Sequence, residues 1–252
     1  MGAIKQFRDE RERRIAELKE NKEFDETSLN WTKDAFDVQY QYNFDWLGRP
    51  IIQIPTDIVA IQELIWSVRP DLIIEAGIAH GGSLILSASM LALLDIKDGQ
   101  YEPKNRKVLG LDIDIRSHNR EAIESHPLSY LIQMIEGSSI QEATINEVHE
   151  VASAYDKILV LLDSMHTRDH VLSELDAYAP LVSKGSYCVV YDTIIENLPK
   201  GYWPDRPWDV GNSPKNAIDS WIQGRDDFVI DANVTQKLKI SSNPGGFLKR
   251  VN

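Results

Sequence analysis

Thiols are almost missing from this sequence. Cys188 stands alone among 252 residues, which excludes an internal disulfide and a thiolate metal site. It sits in Tyr187-Cys188-Val189-Val190, an apolar run that reads as a buried strand, so an inert core thiol is expected rather than a nucleophile. Positive charge is also short: 27 Lys and Arg face 39 Asp and Glu, for a formal charge of -12. Nucleic-acid binders usually show a basic surface, so no nucleic-acid partner is expected, and the acidity serves solubility. No run is long and apolar enough to span a bilayer. The charged N-terminus lacks the apolar core of a secretory leader. The expectations are therefore no membrane association and a cytoplasmic location. There is no internal repeat and no low-complexity tract.

What the chain does have is 42% hydrophobic residues, enough for a folded core, and a length suited to one α/β domain with a modest extension. The extension is expected over residues 1–55. Residues 4–20 carry mixed charges with Ile4, Phe7, Ile15 and Leu18 interleaved, the pattern of a solvated helix with a thin apolar stripe. A subunit contact is its second use, and a homo-oligomer is expected. Residues 31–55 concentrate Trp31, Phe36, Tyr40, Tyr42, Phe44 and Trp46, a segment expected to wrap against the domain, with core packing the main use of most of these rings and pocket lining the second.

From residue 56 to 252 the chain alternates between apolar runs and helical patterns. A helix after Pro55 ends before Arg69-Pro70. Strands are predicted at 72–76, 108–113, 130–135, 157–162 and 187–191, with helices over 83–94, 119–125, 140–152 and 167–178 between them. Residues 95–106, with Gly99 and Pro103, read as a loop. Closing strands are predicted at 228–230, 237–240 and 247–251. Alternation with continuous apolar strands implies a mostly parallel sheet with helices on both faces. In such sheets ligands bind outside the carboxyl ends of the strands.

The strand ends carry the chemistry. After the first comes Glu75-Ala76-Gly77-Ile78-Ala79-His80-Gly81-Gly82-Ser83, where glycines permit a tight turn and close ligand approach, and the next helix start offers free N–H groups. The Gly-x-x-x-Gly-Gly spacing is not the dinucleotide fingerprint. After the second comes Asp112, placed to accept from ribose hydroxyls. After the third comes Gly137-Ser138-Ser139, a small polar turn where adenine fits. These three occur in the order a nucleoside-bearing ligand requires. Asp163 and Asp192 end the fourth and fifth strands side by side, and paired carboxylates call for a proton or a cation such as Mg²⁺. The competing role for Asp163 is to cap the following helix. His166, one helical turn beyond Asp163, is placed to take a proton. The other histidines, His170 on the following helix among them, are less well placed.

The run from Trp46-Leu47-Gly48 through Gln53-x-Pro55-x-Asp57 to Ile74-Glu75-x-Gly77 and Gly81-Gly82-Ser83 resembles the cephalosporin hydroxylase family. So do Asp112-x-Asp114-x-Arg116, Asp163-Ser164-x-His166, Pro207-Trp208 and Asn243-Pro244-Gly245-Gly246-Phe247-Leu248-Lys249-Arg250. The resemblance implies a Rossmann-like class I methyltransferase fold, with a seven-stranded, mostly parallel sheet, and a domain at 56–252 that binds S-adenosylmethionine. It implies O-methylation of a small-molecule acceptor, a sugar or natural product. The strand ends are also similar to catechol-type O-methyltransferases. That similarity implies Glu75, Gly77, Gly81 and Ser83 at the methionine end, Asp112 on the ribose, and Ser138 and Ser139 by the adenine. Asp163, which also borders the cofactor, and Asp192 would hold Mg²⁺ or another divalent cation, with Thr193 as a neutral third ligand. His166 and Asp163 would be the catalytic residues. Two departures stand out: Tyr191 replaces an acid frequent in the family, and Thr193 replaces the asparagine of the catechol-type enzymes.

The implied mechanism is in-line methyl transfer to an oxygen, with the protein supplying position and a deprotonated nucleophile. Trp203, Trp208, Asp209 and Asn212, in the long segment after the fifth strand, are expected to face the acceptor. A true hydroxylase would need two His and one carboxylate around an open site, which the sequence does not offer convincingly. An NAD-linked oxidoreductase is disfavoured by the glycine spacing. A non-catalytic subunit that binds the cofactor is the remaining alternative, suggested by Tyr191.

Overall fold

The computed structural model describes residues 2–99 and 106–252, so Pro103 and the middle of the loop expected over 95–106 lie outside the described residues, while the first residues of that stretch continue the preceding helix to Lys97. Two helices lead, α1 (Gly2–Lys19) and α2 (Lys22–Asp37). A hairpin follows, β1 (Phe44–Trp46) and β2 (Arg49–Ile51). The body comprises α3 (Pro55–Val68), β3 (Leu72–Ala76), α4 (Gly82–Lys97), β4 (Lys107–Asp112), α5 (Ser117–Glu124), β5 (Ile132–Glu136), α6 (Glu142–Ala152), β6 (Ile158–Leu162), α7 (Arg168–Tyr178), β7 (Tyr187–Val190), α8 (Pro214–Trp221), β8 (Phe228–Ile230), α9 (Ala232–Leu238) and β9 (Phe247–Arg250).

The sheet order is β5-β4-β3-β6-β7-β9-β8. β3 to β7 run parallel, and β9 is antiparallel to both neighbours. This is the seven-stranded, mostly parallel sheet of the class I methyltransferase fold. Successive strand residues face opposite sides. Leu72, Ile74, Val160, Leu162, Cys188 and Val190 pack with Val148, Leu175 and Trp221 from α6, α7 and α8. Ile73, Leu159, Leu161 and Val189 pack with Ile61, Leu64 and Ile65 from α3 and with Leu91 from α4. Both faces being covered is why the strands are apolar throughout. Cys188 is fully buried, and burial pushes its thiol well up, as an inert core residue requires.

The strand order reverses at β3, which has β4 on one side and β6 on the other. That reversal opens the crevice beyond the carboxyl ends in which a ligand can lie. One strand expectation is corrected. Lys237-Leu238-Lys239-Ile240 alternates like a strand, but the Asp231 side chain accepts from the Asn233 N–H and starts α9, which ends where Lys239 turns left-handed at φ 57°. The hairpin and α2 go beyond what the sequence pattern predicts. The hairpin turn puts Leu47 (φ 46°) and Gly48 (φ 86°) both at positive φ, as a two-residue hairpin loop needs, and a leucine there gives no turn signal.

Candidate active site

Gly77 leaves β3 at φ 91°, and a Cβ there would lie 1.9 Å from the Asp163 carbonyl oxygen. The glycine turn is thus pressed against the residue that ends β6, and the Asp163 N–H in turn donates to the Ala76 carbonyl over 2.7 Å. Gly81 precedes α4 at φ 84° with no side-chain cap, leaving first-turn N–H groups free. Gly82 abuts the hairpin, since a Cβ would sit 2.3 Å from the Pro50 carbonyl oxygen. From the same hairpin Arg49 donates to the His80 carbonyl through Nε (3.0 Å) and Nη2 (2.5 Å), and Nη2 also donates to Asn119 Oδ1 (3.1 Å). Asn119 then donates to the Ala79 carbonyl over 3.0 Å. The turn is therefore held from outside by β2 and α5.

Glu75 lies beneath this turn, 2% exposed. The Ser83 hydroxyl donates to its Oε1, and Oε2 has no partner. Burial raises the Glu75 carboxyl to about 7, with the Ser83 bond pulling the other way. Asp112 ends β4, where Oδ2 accepts from the Ile78 N–H (3.0 Å) and Oδ1 from the Asp114 N–H (3.1 Å). Each oxygen retains a free lone pair. Asp112, Gly77, Ser138, Ser139 and Asp163 all border one cavity of about 260 Å³.

His170 borders the same cavity, a place its helical position alone does not suggest. Its Nε2 lies 3.0 Å from Ser139 Oγ, 3.2 Å from Ser164 Oγ and 3.4 Å from Glu174 Oε1. Ser164 donates to the fully buried Glu174 over 2.6 Å. The available sequence signal is the spacing: His170 and Glu174 share a helix face four residues apart.

A second cavity, of about 420 Å³, adjoins the first at Ala79, Asp163 and Ser164. Asp163, His166 and Asp192 gather in it, with one ligand atom of each within 4.8 Å of the others. His166 Nε2 is 3.1 Å from Asp192 Oδ2, and its ring meets Trp208 edge-on at 4.7 Å between centroids. Asp163 does not cap α7, whose N-cap is Thr167. Desolvation first, then the charges of Asp192, Glu75, Glu174 and Asp57, push the Asp163 carboxyl well above its ordinary value. A bound cation relieves that crowding, and two carboxylates with an imidazole are a suitable donor set. Among the described residues no other group of three His, Cys, Asp or Glu converges in this way.

Asp192 is held at φ 54°, and its N–H donates to Asn243 Oδ1 over 2.9 Å. Gly246 is where β9 meets β7, and a Cβ there would lie 2.1 Å from the Val190 carbonyl oxygen. The Asn243-Pro244-Gly245-Gly246 segment therefore positions the end of β7. Thr193 is not brought to the metal group. It is fully buried and its hydroxyl donates to the Pro244 carbonyl over 2.9 Å, and it is His166 that gathers with the two aspartates. Tyr191 is buried as well, its phenol pushed well up by burial and by the charge of Asp163.

Trp203 and Trp208 line the second cavity, with Phe36 and Tyr42 from the N-terminal segment. Asp209 and Asn212 instead hold the loop itself, Asn212 also tying it to the start of α7. Asp209 accepts from the Gly201 and Val210 N–H groups, and Asn212 bonds the Pro207 carbonyl and the Arg168 N–H. The cluster has one histidine and two aspartates, the reverse of the set a non-haem iron oxygenase uses.

A family model described as rhamnosyl O-methyltransferase/CmcI matches residues 38–251. A rhamnosyl O-methyltransferase of Mycobacterium tuberculosis is 30% identical over 227 residues, covering 88% of this chain and 80% of the relative. Its Mycobacterium leprae counterpart is 29% identical over 155 residues, covering 61% and 62%. Among solved structures, CmcI with Mg and SAM superposes with a TM-score of 0.56 at 20% identity, covering 84% of this chain and 78% of that one. An O-methyltransferase from Bacillus cereus in complex with SAH gives a TM-score of 0.50 at 13% identity, covering 81% of each chain.

Proposed function

The chain belongs to the rhamnosyl O-methyltransferase/CmcI family, and from that premise we propose that it transfers the methyl group of S-adenosylmethionine to a hydroxyl of a sugar, in a reaction assisted by a divalent cation. One observation carries the reading. Asp163 stands where two cavities meet, one bordered by the ribose-type acid Asp112 and the other by the Asp163–His166–Asp192 group. A methyl donor in the first cavity and an acceptor in the second would face each other there.

Asp112 would receive the ribose hydroxyls, with Ser138, Ser139 and His170 beside the base. Gly77, Gly81 and Ser83 would border the methionine end, and the buried Glu75 would hold Ser83 in place. Asp163 and Asp192 would hold the cation, Mg²⁺ being the fitting choice for oxygen donors. When bound, such a cation lowers the pKa of an adjacent hydroxyl. His166 would accept the hydroxyl proton. Asp192, 3.1 Å from its Nε2, orients the ring and stabilises the charged imidazolium. Trp203 and Trp208 would close over the acceptor and exclude water. A second reading makes His166 a third ligand, favoured by its distance of under 4.8 Å from both carboxylates.

The test is mass spectrometry of rhamnosyl glycosides incubated with the protein, methyl-labelled S-adenosylmethionine and Mg²⁺. A mass gain equal to one methyl replacing one hydrogen, heavier with the label and dependent on Mg²⁺, supports the reading. Labelled donor that is bound but never consumed across the panel would favour the non-catalytic subunit. Among the described residues no helix is long and apolar enough to cross a membrane. Self-association and a cytoplasmic setting remain part of the proposal, to be checked by light scattering and by fractionation.

A further inference from the structure

Two amide side chains in the acceptor cavity have no protein partner for one of their buried atoms. Gln53 is 5% exposed, and its Oε1 has no hydrogen-bond partner. Gln41 Oε1 is likewise buried and unanswered. Both residues border the cavity that contains Asp163, His166 and Asp192. Neither belongs to the cation group or to the borders of the nucleoside cavity. Buried amides without partners cost stability, and native proteins leave few of them. Two in one cavity mark groups shaped for a ligand rather than for the fold.

The surroundings identify the ligand chemistry. A hydroxyl answers either end of an amide, because it both donates and accepts. The walls beside the amides are aromatic, with Tyr42, Trp203 and Trp208, and ring faces suit the apolar C–H faces of a sugar. Gln53 is buried, and its side chain lies close enough to the buried Tyr191 phenol to act on it.

Building on the sugar-acceptor reading, we infer that Gln41 and Gln53 form a hydroxyl-reading pair that selects and orients the acceptor through hydroxyls next to the one methylated. They are specificity residues and carry no part of the proton or methyl transfer.

The test is a set of double-mutant cycles on kcat/KM. The acceptors are methyl rhamnoside and its monodeoxy analogues, each lacking one hydroxyl that is not methylated. The proteins are wild type, Gln53→Leu and Gln41→Leu. In wild type, a deoxy acceptor should lose on the order of 10- to 100-fold. Gln53→Leu should lose a similar factor on the parent sugar and show little further loss on one analogue, with Gln41→Leu doing the same on the same or another analogue. Affinity for S-adenosylmethionine, measured by calorimetry, should stay within about twofold of wild type. Losses that multiply fully in every cycle would overturn the inference. So would a Gln53 variant that weakens cofactor binding while leaving acceptor discrimination intact, because Gln53 also borders the small cavity at Gly77 and Ser83. If Gln53→Leu does not fold, Gln53→Met keeps the side-chain length, and Gln41→Leu on its half-buried segment decides. Wild type methylating the parent sugar with independent effects removes only this inference. Wild type methylating no sugar removes the functional reading and this inference together.

Discussion

Replacing Gly77 with alanine offers a direct probe of the packing that places Asp163. At φ 91° an L side chain meets the left-handed penalty, about 1–2 kcal/mol. The added Cβ would also fall 1.9 Å from the Asp163 carbonyl oxygen and 2.5 Å from its carbon, both backbone atoms of the residue that follows β6. Relief requires the ends of β3 and β6 to separate, an overpacking cost of about 1–3 kcal/mol. Gly185→Ala isolates the first term, because Gly185 has φ 82° with nothing within 4 Å of its would-be Cβ. The two variants should therefore differ by about 1–3 kcal/mol, which in a chain of this size is about 2–12 °C in Tm. Urea denaturation and thermal melting, monitored by circular dichroism, measure it. Because the collision displaces Asp163, Gly77→Ala should also lose catalytic rate, while Gly185→Ala keeps it. Equal melting of the two variants would refute the claim that the glycine turn and the end of β6 are in contact.

Other outcomes follow from the same geometry. Asp163→Asn should lower kcat by at least about 100-fold and weaken Mg²⁺ binding while cofactor affinity is largely kept, as calorimetry and steady-state rates would show. Glu75→Gln should stabilise the protein above neutral pH. A carboxyl raised to about 7 when folded loses stability as pH climbs from its unfolded value of 4.5, so the gain, on the order of 3 kcal/mol, should be complete about one unit above the folded value and absent below the unfolded one; a pH series of melts tests this. His170→Leu should weaken S-adenosylmethionine binding several-fold without altering Mg²⁺ affinity, and unchanged cofactor titrations would remove His170 from that cavity's work. His166→Gln should lower kcat with Mg²⁺ affinity retained if the imidazole is the base; loss of Mg²⁺ affinity instead would identify it as a ligand.

Much of this protein is legible in its sequence, because the relevant signals are local. Continuous apolar runs alternating with helical patterns announce a covered parallel sheet, and the residue types at the strand ends announce what can lie beyond them. Glycine at 77, an acid at 112 and aspartates at 163 and 192 follow from position along the chain once the strands are placed. The motifs from Trp46 to Arg250 carry the family resemblance for the same reason. What needed the tertiary structure was every decision made by side-chain direction or by distant contact. Periodicity could not say that Thr193 turns to Pro244 while His166 turns to Asp192. Nor could it say that Asp209 is consumed within its own loop while Asn212 ties that loop to the start of α7, or that the alternating 237–240 segment is claimed by a helix capped from Asp231. Asn243 on Asp192 and Arg49 on the glycine turn join residues 51 and 31 positions apart. Such pairings depend on how helices, hairpin and sheet pack in three dimensions, which no local pattern encodes.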